Sequence, residues 1–130
     1  MARIIVAEDD ELVAEILRDA LIRGGHGVGI LADGREALKV IRNRKPDLVV
    51  LDCTLPGLSG VLILQELRKN PDTCDMPVLM LTGRRGHADE SLAMFAGAND
   101  YMTKPFDAEE VVFRIEQILA KKSAPPASRF

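Results

Sequence analysis

Tryptophan is absent from the sequence, and aromatic residues make up only 4% of it, with one tyrosine and four phenylalanines. A core built from this chain is therefore aliphatic. Cysteine is scarce too: Cys53 and Cys74 are the only two, neither in a CxxC pair, which excludes a disulfide framework. With His26 and His87 scattered elsewhere, no zinc-ligand spacing appears. Cys53 follows an apolar run and reads as a small core residue, while His26 and His87 read as surface residues. No run of about 18 apolar residues is available to span a membrane. The opening MARIIVAEDD turns acidic at once, unlike a signal peptide. An excess of basic charge is also missing. The formal net charge of -3 gives no electrostatic footing for direct nucleic-acid binding. These absences point to a cytoplasmic protein with no membrane or nucleic-acid contact of its own.

What is present suits one domain: 130 residues, 47% of them hydrophobic. Short apolar runs alternate with helical periodicity five times. Ile4–Ala7 has strand length. Leu12, Val13, Ile16, Leu17, Ala20 and Leu21 then recur at helical spacing up to Gly24-Gly25. Val28–Leu31 is a weaker strand. Asp33 and Glu36 resemble a capping box before Ala37, Leu38, Val40 and Ile41, and Pro46 stops that helix. Leu48–Leu51 is a buried strand ending at Asp52. A loop with Pro56, Gly57 and Gly60 leads to a helix through Leu67. Pro77 introduces the strand Val78–Leu81, ended by Thr82-Gly83, and a helix runs roughly from Asp89 to Ala96. Tyr101–Thr103 is a short fifth strand before Lys104-Pro105. Asp107 and Glu110 form a second capping-box pattern, opening a last helix that reaches about Lys122.

Strands buried on both faces and alternating with helices imply an α/β fold: a three-layer, doubly wound (βα)5 domain around a five-stranded parallel sheet. In such sheets ligands bind beyond the carboxyl ends of the strands, near the switch in strand order. The polar residues that follow the apolar runs are Glu8, Asp9 and Asp10, then Asp52, Thr82 and Lys104. Converging there, the carboxylates repel one another. A hard divalent cation relieves that repulsion, and Mg²⁺ favours one or two carboxylates plus water and phosphate oxygens. A lysine balances the remaining charge of a phosphoryl group, and a threonine hydroxyl can donate to it.

Four segments in this order resemble response-regulator receiver domains of two-component signalling: Ile5–Asp10, Val50–Gly60, Met80–Gly83 and Gly97–Phe106. The resemblance covers about residues 3 to 121. It implies the flavodoxin-like strand order 2-1-3-4-5 and a set of roles. Asp52 takes a phosphoryl group from a sensor histidine kinase, a histidine phosphotransfer protein or a small phosphodonor. Asp9, Asp52 and the backbone carbonyl of Thr54 bind Mg²⁺, and Glu8 acts through metal-bound water. Lys104 pairs first with the carboxylate and then with the phosphoryl, with a cis bond to Pro105. Thr82 and Tyr101 are the switch pair. No organic cofactor is implied, and the domain is a self-phosphorylating and autodephosphorylating switch rather than a turnover enzyme. Its output goes to a protein partner or a second copy through the fourth helix, fifth strand and fifth helix. Arg84 and Thr54 sit at positions where the family varies and bear on phosphoryl lifetime. Asp10 belongs with the start of the first helix, where acids favour the dipole.

Two other readings use related chemistry. A dehalogenase-type phosphatase also has a strand-end Asp nucleophile, but needs a second Asp two positions on, where Thr54 stands. A flavodoxin needs a Ser/Thr/Gly phosphate cradle after the first strand, where this chain is acidic. Residues 1–122 are expected to form the receiver and 123–130 a flexible tail or linker stub. Beginning at Met1 favours a complete single-domain regulator, or else the N-terminal part of a longer one. On helical wheels, Phe113 falls opposite the apolar face of Ala108, Val111, Val112, Ile115, Ile118 and Leu119. Leu62 and Met94 are likewise left on polar sides of their helices, Met94 across from Leu92, Phe95 and Ala96. Phe113 and Met94 are the expected binding surface.

Overall fold

The computed structural model of the chain describes residues 1–83, 91, 93–94 and 96–123. Five strands form one sheet: β1 (Arg3–Ala7), β2 (Gly27–Leu31), β3 (Leu48–Asp52), β4 (Val78–Thr82) and β5 (Asp100–Thr103). Its order is β2-β1-β3-β4-β5 and every pairing is parallel, as expected. The helices are α1 (Glu11–Arg23), α2 (Gly34–Arg44), α3 (Gly60–Lys69) and a C-terminal helix (Ala108–Ser123). Ser91, Ala93 and Met94 are also helical. The other residues of the 89–96 segment that bear on its wheel, Leu92 and Phe95, lie outside the described residues, as do His87, Arg84 and most of the expected tail.

Alternation along the strands builds two cores. Ile4 and Val6 of β1, Leu48 and Val50 of β3 and Leu79 and Leu81 of β4 face one side, against Leu17 and Leu21 of α1 and Val111, Ile115 and Ile118 of the C-terminal helix. Ile5, Ala7, Val49, Leu51, Val78 and Met80 face the other, against Ala37, Leu38 and Ile41 of α2 and Ile63, Leu64 and Leu67 of α3. The three central strands are thus apolar on both faces, as a sheet covered on both sides demands. β2, at the edge, is only partly buried, which explains its weaker pattern in the sequence.

Helix starts follow local chemistry. Asp10 caps α1 by accepting from Leu12 and Val13 N–H, Asp33 caps α2 through Glu36 N–H, and Ser59 caps α3 through Leu62 N–H. Two expectations need correction, and one detail of α1 goes beyond its pattern. Leu12 and Ile16 are exposed at 68% and 46%, because the apolar stripe of α1 is wider than the surface it covers. His26 is not a surface residue: its side chain is nearly buried, its Nδ1 accepts from Ala2 N–H at 3.1 Å and its Nε2 lies 3.4 Å from Glu116. The second capping box is not reciprocal: Asp107 accepts from Glu109 N–H, while Glu110 turns to Arg114 at 3.2 Å.

Phe113 is 57% exposed and Met94 45%, as the wheels require, whereas Ile115, two residues from Phe113, is fully buried. Ile115→Ala should therefore cost about 2–5 kcal/mol of folding stability. Phe113→Ser should stay within roughly 0.5 kcal/mol of the parent. Urea unfolding of both variants checks the contrast.

Candidate functional site

The carboxyl ends of β1 and β3 lie side by side, since Ala7 pairs with Leu51. Glu8 follows β1 directly and is fully buried; Asp9 beside it is exposed. Asp52 is the last residue of β3 and is 5% exposed. One carboxylate oxygen from each of Glu8, Asp9 and Asp52 falls within 4.8 Å of the others. Asp10, spent on the α1 cap, is not among them.

Lys104 leans into this acidic group. Its Nζ lies 2.6 Å from Glu8 Oε1 and 3.0 Å from Asp52 Oδ2. Its backbone N–H donates to Thr82 O at 2.7 Å, which ties the segment after β5 to the end of β4. The Lys104–Pro105 bond is cis. The other oxygens are held by the main chain: Asp10 N–H donates to Glu8 Oε2 at 3.1 Å, and Thr54 N–H to Asp52 Oδ1 at 3.2 Å. Thr82 is fully buried beside β3, and its hydroxyl contacts Met102 O at 3.5 Å rather than Asp52. Tyr101 is half-buried on β5 and packs against the core on the α2–α3 face.

The fold therefore joins Glu8, Asp9, Asp52 and Lys104 in one cluster, sets the exposed Thr54 at its edge, and puts Thr82 and Tyr101 on the strands alongside. What the sequence did not show is the pairing of Lys104. It serves Glu8 as closely as Asp52, because a glutamate reaches further than an aspartate from the same backbone position. The two glycines that fix the loop after β3 also escaped sequence reading as parts of the site. A Cβ on Gly60 would overlap Asp52 O, and one on Gly34 would overlap Leu58 O. Gly34 carried a signal only in directly following the α2 cap Asp33.

Burial pushes the Glu8 carboxyl up to about 7 from its ordinary 4.5, and the neighbouring Asp52 charge adds to the rise; Lys104 and Asp10 N–H pull the other way. Burial opposes the Lys104 ammonium, but contacts with Glu8 and Asp52 outweigh it and raise its pKa. Three carboxylates face one ammonium among the described residues. Glu8 Oε1 is buried and accepts no well-directed hydrogen bond. This oxygen-only, charge-excess set fits a hard divalent cation.

The family description "response regulator receiver domain" matches residues 4–116. The chain is 41% identical to the response regulator MprA of Mycobacterium sp. (strain KMS), over 93% of this chain and 52% of the relative. It is also 41% identical to the alkaline phosphatase synthesis transcriptional regulatory protein PhoP of Bacillus subtilis (strain 168), over 97% of this chain and 52% of the relative. The chain thus spans about half the length of these curated relatives. A putative response regulator from Chloroflexus aurantiacus has a crystal structure that superposes with a TM-score of 0.87 at 38% identity, covering 92% of this chain and 98% of that one.

Glu8 binds its proton more tightly in the folded state than its ordinary value allows in the unfolded one. The folded state therefore holds the extra proton between about 4.5 and 7, and stability falls as pH rises through that window. In metal-free buffer the urea midpoint should drop between pH 5 and pH 8. Glu8→Gln should flatten that part of the slope; an equal slope in the variant would remove Glu8 as its source.

Proposed function

The chain belongs to the response regulator receiver domain family, and from that membership we propose that it is the phosphoacceptor of a two-component relay, with Asp52 as the residue labelled. The observation that carries this reading is the convergence of Glu8, Asp9, Asp52 and Lys104 at the carboxyl end of the sheet. An Asp52 carboxylate oxygen attacks the phosphorus of a phosphohistidine on a sensor kinase or phosphotransfer protein. The P–N bond breaks, the imidazole keeps the electron pair and regains a proton, and an aspartyl phosphate forms. Asp9, Asp52 and the Thr54 carbonyl would hold Mg²⁺, with Glu8 acting through water. The ion, when bound, offsets the charge on the phosphoryl oxygens.

The remaining work belongs to protein groups. Lys104, shared between Glu8 and Asp52, follows the new negative charge onto a phosphoryl oxygen. The Thr82 hydroxyl turns from Met102 O towards the same group, and Tyr101 moves into the space behind it. The domain, residues 1–122 with 123–130 as tail or linker, labels itself and sheds the label rather than turning over a substrate. We place it in the cytoplasm, acting on a protein partner or a second copy rather than directly on nucleic acid. The exposed Phe113 and Met94 suit a contact surface shared by the 91–94 segment, β5 and the C-terminal helix.

Incubation with acetyl phosphate and Mg²⁺ should add one phosphoryl group by mass, removed by alkaline hydroxylamine, and chelation should prevent it. Asp52→Asn should stay unlabelled. Equal labelling of the variant would move the acceptor elsewhere and end the assignment.

A further inference from the structure

The loop between β3 and α3 carries Thr54 and borders the acidic cluster, yet α2, which contributes no side chain to that cluster, grips its far side. Four observations define the grip. Gly34 N–H donates to Pro56 O at 2.8 Å. The Arg35 side chain donates from Nε to Gly57 O at 3.1 Å. Gly34 is buried so tightly against Leu58 that a Cβ there would overlap the Leu58 carbonyl oxygen, with its carbonyl carbon and nitrogen also too near. Gly57, in turn, lies against the carboxylate of Asp33, the α2 cap. The loop's other end is fixed by Gly60, whose N–H donates to Cys53 O at 3.0 Å and whose Cα backs onto Asp52 O. Residues 53–60 are therefore spanned between two backbone-to-backbone contacts.

We propose that Gly34 and Arg35, in the first turn of α2, are positioning residues for the metal-binding loop: they hold Pro56–Leu58 so that the Thr54 carbonyl and the Asp52 carboxylate keep the spacing a divalent cation requires. This rests on the reading of Asp52 and its neighbours as a Mg²⁺ site. The physical reason is the narrow tolerance of Mg²⁺, which needs near-ideal octahedral geometry at about 2.0–2.1 Å and loses affinity when one oxygen ligand drifts. A loop bound only through its own ends would place a backbone carbonyl loosely. The α2 contacts remove that freedom before the ion arrives, so the cost of ordering is not charged against binding. Loss of outer contacts of this kind commonly weakens a metal site by about 10–100-fold.

The two residues can be separated by experiment. Arg35 is exposed, so Arg35→Ala removes one hydrogen bond without disturbing the core. Gly34→Ala forces the loop away from α2. Calorimetric titration with Mg²⁺ alone should show the dissociation constant rising about two- to threefold in Arg35→Ala and about tenfold or more in Gly34→Ala. Arg35→Lys, which keeps a donor, should fall between Arg35→Ala and the parent. In the acetyl phosphate assay the Mg²⁺ concentration for half-maximal labelling should rise in step, while the rate at saturating Mg²⁺ stays within about twofold. A purely structural role would lower the unfolding midpoint and leave Mg²⁺ affinity of the folded protein unchanged; that result would overturn the proposal. Should Gly34→Ala not fold, Arg35→Ala decides alone, with unchanged affinity counting against. Failure of the parent to bind Mg²⁺ or to label at Asp52 would instead remove the underlying reading.

Discussion

Three carboxylates crowd one end of the sheet, and Lys104 is the one cation among the described residues that touches them. Much of the architecture answers to that imbalance. Strand order makes β1 and β3 neighbours, and neighbouring strands sit about 4.8 Å apart, so acids at both carboxyl ends must meet. The counter-charge comes from beyond β5, two strands away from β3, and only a long side chain reaches across the end of β4. Lysine has the reach and leaves a compact ammonium that two carboxylates can share. Its backbone is pinned to Thr82 O, so the reach starts from a fixed point.

The sheet is organised differently at its other end. There Arg68, from the last turn of α3, donates to Met76 O at 2.7 Å, Gly97 O at 3.0 Å and Asn99 Oδ1 at 3.2 Å. Burial lowers its pKa, yet its planar fork finds an acceptor for each nitrogen, which is what a partly buried guanidinium needs. Asn99 also accepts from Val78 N–H. The amino ends of β4 and β5 are therefore riveted by neutral acceptors, whereas the carboxyl ends of β1 and β3 carry more acid than Lys104 balances.

The sheet was legible in the sequence because β1, β3 and β4 are apolar on both faces and end in polar residues. Asp52 could be singled out from its place after Leu48–Leu51, and Asp10 from its place before an apolar helical stripe. Receiver-like segments supplied the strand order, which periodicity cannot. Tertiary detail was hidden. Nothing in the spacing of His26 tells that Ala2 and Glu116 would enclose it, because those contacts join opposite ends of the chain. Leu12 and Ile16 share the helical spacing of Leu17 and Leu21 yet stay exposed, because spacing gives direction and not the extent of the covering surface. The close approach of Gly34 to Leu58 was hidden too, because it joins the start of α2 to the loop after β3.

The same charge arrangement sets the scale of the switch that we propose. A conformational equilibrium moves tenfold for each 1.4 kcal/mol or so, and reversing a 1:99 preference to 99:1 takes about 5.5 kcal/mol. One hydrogen bond to a charged group contributes about 1.5–3 kcal/mol. Two such bonds, from Lys104 and Thr82 to one new anion, would amount to about 3–6 kcal/mol, from which the contacts with Glu8, Asp52 and Met102 that they give up must be subtracted. That departure would also strip the buried Glu8 carboxyl of its ammonium partner. A buried, unpaired carboxylate is costly, so Glu8 would then need a proton or a metal-bound water. On the proposed reading, the charge of Glu8 would therefore depend on where Lys104 sits.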